Sequence, residues 1–366
     1  MIGLANPAAQ YSKHQADIDE AVLEVLKSGQ YVSGKRVKQF ESSFAELHGC
    51  QFGIGVASGT AALVASLRAL RIGPGDSVLV PANTFIATAE AVILCGARVQ
   101  FIDCEPDYYG LSVSDLEQKI DSSSRAVIAV HMFGQMCDIS AVKAITNQYD
   151  LRLIEDCAQA HLASHQGIPA GSVGDVGCFS FYPGKNLGAA GEAGAVITNH
   201  SALSESVRSY IQHGALIRYQ HRELGDNLRM DEIQAAILEI KLRTLAEENQ
   251  RRNQIARQYT ERFSDIGELQ LPTVRPDSEP AWHLYVIRTA QRDSLLEYLN
   301  ANHIGAGIHY PVPCHQQVAT QGWSKGSIDC PIAESTANTM ISLPVHAELS
   351  AAEVDYIADK VCLFFR

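Results

Sequence analysis

The chain has 366 residues, which at roughly 150 residues per domain implies two domains, or three, with ample length to bury a core. Lysine and arginine total 29 against 41 aspartates and glutamates, a formal net charge of −12, which argues against nucleic acid and against an anionic membrane as partners. Hydrophobic residues at 46% and charged residues at 19% lie far from the composition that keeps chains disordered.

The first predicted element is a helix over residues 17–28. Ile18, Ala21, Val22, Val25 and Leu26 recur there at helical spacing, and Gly29 supplies a stop. Val37, Phe40, Phe44 and Leu47 mark a second amphipathic helix. Short apolar runs then alternate with longer helical ones. Residues 52–57, 77–81, 98–102, 126–130, 152–155, 178–181 and 195–198 read as buried strands. Strands separated by helices predict a largely parallel sheet covered on both faces. From 232 to 263 the pattern is nearly unbroken helix, with Glu247, Glu248, Arg251 and Arg252 expected on a solvated face. Pro272, Pro276 and Pro280 lead to a strand over 282–288 and a helix over 293–302. The expected division is a large domain, 1–245, and a small C-terminal domain, 246–366.

The nine cysteines are scattered, without a C-x-x-C pair or a histidine cluster at ligand spacing, so no metal site is expected. Such cysteines read as buried thiols in a reducing compartment. The first ten residues lack a signal-peptide pattern, and no apolar run reaches the roughly 18 residues that span a membrane. The expected location is the cytoplasm.

Gly53, Gly55 and Gly59 have the look of a dinucleotide fingerprint, with Asp76 at a plausible distance for a ribose. Gly53 and Gly55, however, sit inside the apolar run, and only Ser58-Gly59-Thr60 occupies the turn before a strong helix former at 60–70. Two readings stand for that turn: an N-capped helix start, or backbone N–H groups and a hydroxyl facing one phosphate. Two further segments bear on the choice. Residues 154–161, Ile-Glu-Asp-Cys-Ala-Gln-Ala-His, place acids and amides at the C-terminal edge of a strand, where ligands bind open parallel sheets. Residues 179–188, Phe-Ser-Phe-Tyr-Pro-Gly-Lys-Asn-Leu-Gly, bring a lysine out of a strand end into a glycine-rich loop. An amine, an isolated carboxylate and a phosphate cup together suit pyridoxal 5'-phosphate (PLP). Its aldehyde takes a lysine, its ring nitrogen needs an acid, and its phosphate needs N–H donors.

With these motifs the chain resembles the DegT/DnrJ/EryC1/StrS sugar aminotransferases over essentially its whole length. Matching runs are 28–34, Ser58–Leu63, 73–76, 81–88, 155–161, the lysine loop, 227–231 with Gln234-Ala235-Ala236, and 309–313. The resemblance implies an α/β fold of the PLP-dependent transferase fold type I (aspartate aminotransferase-like): a large domain with a mostly parallel seven-stranded sheet, plus a smaller C-terminal α/β domain. It implies Lys185 as Schiff-base lysine and as base and acid of the proton shift, and Asp156 as partner of the ring N–H. Gln159 would meet the phenolic oxygen and Phe85 the ring face. Gly59, Thr60 and Ser180 would bind the phosphate, joined by Asn227 from the other subunit of a homodimer. Tyr182, Tyr219 and His309 would face the sugar, each of them equally open to a purely structural role.

The implied reaction moves an amino group from glutamate to a nucleotide-linked keto sugar. The loop form of 181–188 is similar to the subgroup that aminates C3 of dTDP- or UDP-keto sugars, serving a surface polysaccharide, lipopolysaccharide or glycoside. Amination at C4, a PLP-dependent sugar dehydratase, and a regulator on the same fold are the alternatives; Lys185 with scattered cysteines argues against the dehydratase, and Lys185, Asp156 and Ser180 retained together argue against the regulator. The arginines at 208, 218, 222 and 229 mark a basic stretch, part of which is expected to meet the diphosphate. Two positions depart from the family pattern: Ala193, where glycine is usual and a positive φ is expected, and Leu228 within Asn227-Leu228-Arg229.

Overall fold

Each of the seven apolar runs is too hydrophobic to leave either face in water, so they assemble with both faces covered. The computed structural model describes residues 1–366. It joins β1 (Phe52–Val56), β2 (Ser77–Pro81), β3 (Arg98–Ile102), β4 (Ser124–Val130), β5 (Arg152–Asp156), β6 (Val176–Ser180) and β7 (Gly194–Thr198) into one sheet of order β1-β7-β6-β5-β4-β2-β3. Neighbours pair in parallel except β7, which is antiparallel to both β1 and β6. Side chains alternate between two cores, as the pleat requires. Val78, Val80 and Ile128 enter one, while Leu79, Val127 and Ala129 enter the other.

Two expectations change. The stretch 232–263 is two helices, Glu232–Leu242 and Leu245–Phe263. Its charged face is only partly solvated, because Glu248 and Arg252 are buried. Arg252 donates to the carbonyls of Val345 (2.9 Å) and Trp282, and Glu248 accepts from Lys13 at 3.1 Å. The geometry also explains why the glycines at 53 and 55 only look like a dinucleotide fingerprint. A Cβ on Gly53 would sit 2.3 Å from the Glu41 carbonyl oxygen, so this glycine permits helix Lys35–Leu47 to lie on the sheet rather than a ligand to approach it.

A third core holds Tyr259, Phe263, Tyr285, Ile287, Leu295, Ile341 and Val361, built around the antiparallel pair β8 (Tyr285–Arg288) and β9 (Met340–Leu343). Chain segments cross between this core and the large sheet. The Cys314 N–H donates to the Ala82 carbonyl (2.8 Å) and the Ala333 N–H to Asp103 (2.8 Å), returning part of the C-terminal third to the large sheet. At the other end, the Ile2 N–H donates to the His303 carbonyl (2.8 Å) and Gly305 N–H donates back to Ile2 (2.7 Å). This N-terminal strap then passes Leu4 and Ala5 along the wall of the main cavity. No helix is long and apolar enough to cross a membrane.

Candidate active site

Adjacent residues of a strand point to opposite faces, and this separates the two acids at the end of β5. Glu155 enters the interior, where it accepts from Val173, Gly174 and Gly171 N–H groups at 2.7–2.9 Å and pairs with His131 at 2.9 Å. Burial disfavours its charge, but His131 and these N–H groups outweigh burial and hold the carboxyl below its usual range. Its role is structural. Asp156 faces a cavity of about 520 Å³ at the C-terminal edge of the parallel strands.

Asp156 is 6% exposed. Its carboxylate accepts from the Thr88 hydroxyl (2.9 Å) and the Ala158 N–H (3.1 Å). Because a carboxylate only accepts, Thr88 must donate to it, and the Thr84 hydroxyl 2.8 Å away must donate to Thr88. Burial raises the carboxyl's pKa, opposed by Ala158, Thr88 and the charge of Lys185. Thr88→Val deletes one hydrogen bond to this charge, worth about 1.5–3 kcal/mol. Cofactor titration should show roughly 10-fold weaker binding or more at 1.4 kcal/mol per decade, with Thr88→Ser near wild type.

Lys185 lies in the loop after β6, its N–H donating to the Tyr182 carbonyl at 2.8 Å. Burial lowers its pKa to about 8 against the opposing charge of Asp156, and its amine has no hydrogen-bond partner in the protein. Its proton is thus held much less tightly than an ordinary lysine's, within reach of exchange at working pH.

On the cavity's far side, Ser58 caps helix Gly59–Ala69, its hydroxyl accepting from the Ala61 N–H at 3.1 Å. A Cβ on Gly59 would lie 2.6 Å from Ser180 Cβ, so the glycine lets a helix N-terminus and the Ser180 hydroxyl converge on one spot. The serine does cap the helix, and the helix N-terminus brings Gly59 and Thr60 to the cavity beside the Ser180 hydroxyl, an arrangement with the donors an anion would need. Gly59→Ala should cost stability by about 1–3 kcal/mol through overpacking. A phosphate-bearing cofactor should then bind at least 10-fold more weakly, as read by absorbance titration beside a melting curve.

Gln159 accepts from the Phe133 N–H (2.7 Å) and donates to the Tyr310 hydroxyl (3.2 Å). The ring of Phe85 lies 5.3 Å from that of Tyr310, and Tyr182 and His309 also line the cavity. Burial, then the Lys185 charge, lowers His309 to about 4. Of the predicted site residues, only Asn227 and Tyr219 lie outside the lining of this chain's cavity. Both are exposed, Tyr219 by 78%. Arg208 does not serve the basic stretch: its guanidinium pairs with Glu41 (2.8 Å) and the Gly53 carbonyl (2.7 Å). Ala193 lacks the positive φ expected there, so its methyl carries no strain. Sequence reasoning assigned no role to Thr84, Thr88, His283 or Tyr310, although three of them stood inside quoted motifs.

A neutral N–H cup, a buried carboxylate and an amine depressed to about 8 around one cavity fit PLP. The profile of the DegT/DnrJ/EryC1/StrS aminotransferase family matches residues 12–362. The chain belongs to this family. The aminotransferase is PLP-dependent, and PLP when bound supplies the aldehyde and the electron sink that amino transfer requires. It is 41% identical over 349 residues to dTDP-3-amino-3,6-dideoxy-alpha-D-galactopyranose transaminase of Aneurinibacillus thermoaerophilus, covering 95% of each chain. It is 38% identical over 361 residues to UDP-N-acetyl-3-dehydro-alpha-D-glucosamine 3-aminotransferase of Acidithiobacillus ferrooxidans, covering 98% of this chain and 97% of that one. The solved structure of DesV from S. venezuelae in complex with a ketimine intermediate superposes with TM-score 0.97 at 37% identity, over 100% of this aminotransferase and 98% of DesV.

Proposed function

We propose that this aminotransferase moves an amino group from glutamate to C3 of a dTDP- or UDP-linked keto sugar. The observation that carries the reading is the Lys185–Asp156 chamber within a chain so similar, end to end, to two enzymes whose names specify a 3-amino or 3-dehydro sugar. Lys185 takes and returns the proton at the reacting carbon, a task its pKa of about 8 suits. Asp156 holds the ring nitrogen protonated. Gln159 addresses the phenolic oxygen, Phe85 covers the ring, and Gly59, Thr60 and Ser180 hold the phosphate. Tyr182 and His309 face the sugar.

The working unit is proposed to be a homodimer. Asn227 and Tyr219 would enter the partner's cavity from an arm that leaves Leu216, Ile217, Tyr219 and Leu224 exposed. Arg218 and Arg222 on the same arm would meet the diphosphate, and reversing either charge should raise KM for the nucleotide sugar with kcat little changed. Nine free cysteines, eight of them buried, support a cytoplasmic location. An amino sugar for a surface polysaccharide, lipopolysaccharide or glycoside is the proposed destination.

The test is incubation with L-glutamate and a panel of 3-keto and 4-keto dTDP- and UDP-sugars, followed by NMR location of the new C–N bond. A 3-amino product is expected, and exclusive 4-amination overturns the reading.

A further inference from the structure

His283 and Lys185 line the same cavity, near enough that the lysine's charge acts on the imidazole. Its state follows from the side chain next in sequence to the lysine. Asn186 Nδ2 lies 2.7 Å from the Ala281 carbonyl oxygen and 3.1 Å from Asn249 Oδ1. A carbonyl only accepts, so the orientation of the Asn186 amide is settled. Asn249 is anchored the same way, its Nδ2 donating to the His161 carbonyl at 2.8 Å, which leaves its Oδ1 as the acceptor for Asn186. Both hydrogens of the Asn186 amide are then engaged. Its Oδ1, 3.2 Å from His283 Nδ1, must accept, and His283 must carry its proton on Nδ1. The lone pair is on Nε2, which has no partner in the protein and is not sealed in the interior. Burial first, then the charge of Lys185, lowers the ring's pKa well below its ordinary value, so the ring stays neutral.

The chamber therefore holds two complementary groups without partners: an acceptor at His283 Nε2, and the donor amine of Lys185. We infer that His283 is a positioning residue that accepts a hydrogen bond from the Lys185 amine whenever that amine is free, turning the nitrogen's own lone pair toward the reacting carbon. The inference rests on the reading of Lys185 as the proton carrier. No proton passes to His283, whose basicity is too low to compete with an amine. Asn186 fixes the tautomer, and through Asn249 and Ala281 it ties that choice to helix Leu245–Phe263 and to the segment leading into β8.

Two isosteric variants separate this role from that of a strut. In His283→Gln the side-chain end sits where Nε2 was, keeping an acceptor toward the chamber and losing the Nδ1 donor. In His283→Asn the polar group sits where Nδ1 was, keeping the contact with Asn186 and losing the acceptor. With holoenzyme and L-glutamate, the bleaching of the visible cofactor band in a single half-reaction should slow by about 10-fold or more in His283→Asn and in His283→Phe, the loss of one well-placed hydrogen bond. His283→Gln should stay close to wild type, and all variants should retain full cofactor content. The reverse order, with His283→Asn active and His283→Gln impaired, overturns the inference in favour of a strut, as does equality among all four proteins. A wild type that does not bleach counts against the proposed donor and not against His283. Independently of turnover, histidine 15N NMR of the wild-type holoenzyme should show an Nδ1–H tautomer with bare Nε2 between pH 6 and about 9; a proton on Nε2 overturns the inference.

Discussion

Lys185→Ala is expected to abolish turnover, by at least about 10³-fold. On the proposed roles it removes the covalent attachment of the cofactor together with a proton carrier that alone contributes roughly 10²–10⁴-fold. The variant should fold, and in the absence of cofactor it should be the more stable protein. Burial drops the amine's pKa from 10.5 to about 8, so the folded apoenzyme binds the lysine's proton less tightly than the unfolded chain does. At 1.36 kcal/mol per unit, the penalty is about 3 kcal/mol. Its sign follows from the lowered folded pKa. The penalty is fully present below about pH 8, where both states are protonated, fades between about 8 and 10.5, and is gone above that. Urea melts of apo wild type and Lys185→Met should therefore differ at pH 7 and converge near pH 10.5. Parallel curves at all pH values would refute the depressed amine, and an active, soluble Lys185→Ala would refute its assignment as base.

Asp156→Asn is the second large effect. The substitution keeps the size of the side chain and its contacts with Ala158 and Thr88 in reach, but removes the anion that a protonated ring nitrogen needs opposite it. A fall of about three orders of magnitude in kcat/KM is expected, roughly 4 kcal/mol of transition-state stabilisation. Cofactor retention should suffer by the 1.5–3 kcal/mol of a charge-assisted hydrogen bond. Pre-steady-state kinetics with glutamate and a dialysis assay read the two separately. Loss of retention with unchanged kinetics in cofactor excess would reduce Asp156 to an anchor. Because burial disfavours the carboxylate's charge, the apo variant should be no less stable than wild type at neutral pH.

The sheet was legible because its strands carry their own signal: five or so apolar residues bounded by turn formers, whose boundaries moved by at most two residues on folding. Asp156 and Lys185 were readable as a pair for a related reason, since Asp156 ends β5 and Lys185 stands in the short loop that leaves β6. What resisted reading was whatever depends on two distant positions meeting. The cup at Gly59 stayed ambiguous because its decisive neighbour, Ser180, arrives from another strand. Thr88 and Asp156 are 68 residues apart, Asn186 and His283 are 97 apart, and Gln159 and Tyr310 are 151 apart. No local pattern announces such partners. Glu248 and Arg252 misled for the opposite reason: charge on a helix face suggests exposure, yet both are buried, Glu248 against Lys13 and Arg252 against the carbonyls of Val345 and Trp282.

The strap at the N-terminus bears on how the protein should be handled. Ile2 is laced to His303 and Gly305, and Leu4 and Ala5 form part of the chamber wall. Trimming those residues as a dispensable tail, or letting a protease nick them during purification, would unhook the small core from its opening segment and let solvent into the chamber. Preparations differing only in their first five residues should be expected to differ in specific activity, and checked for it by intact mass before any variant is compared.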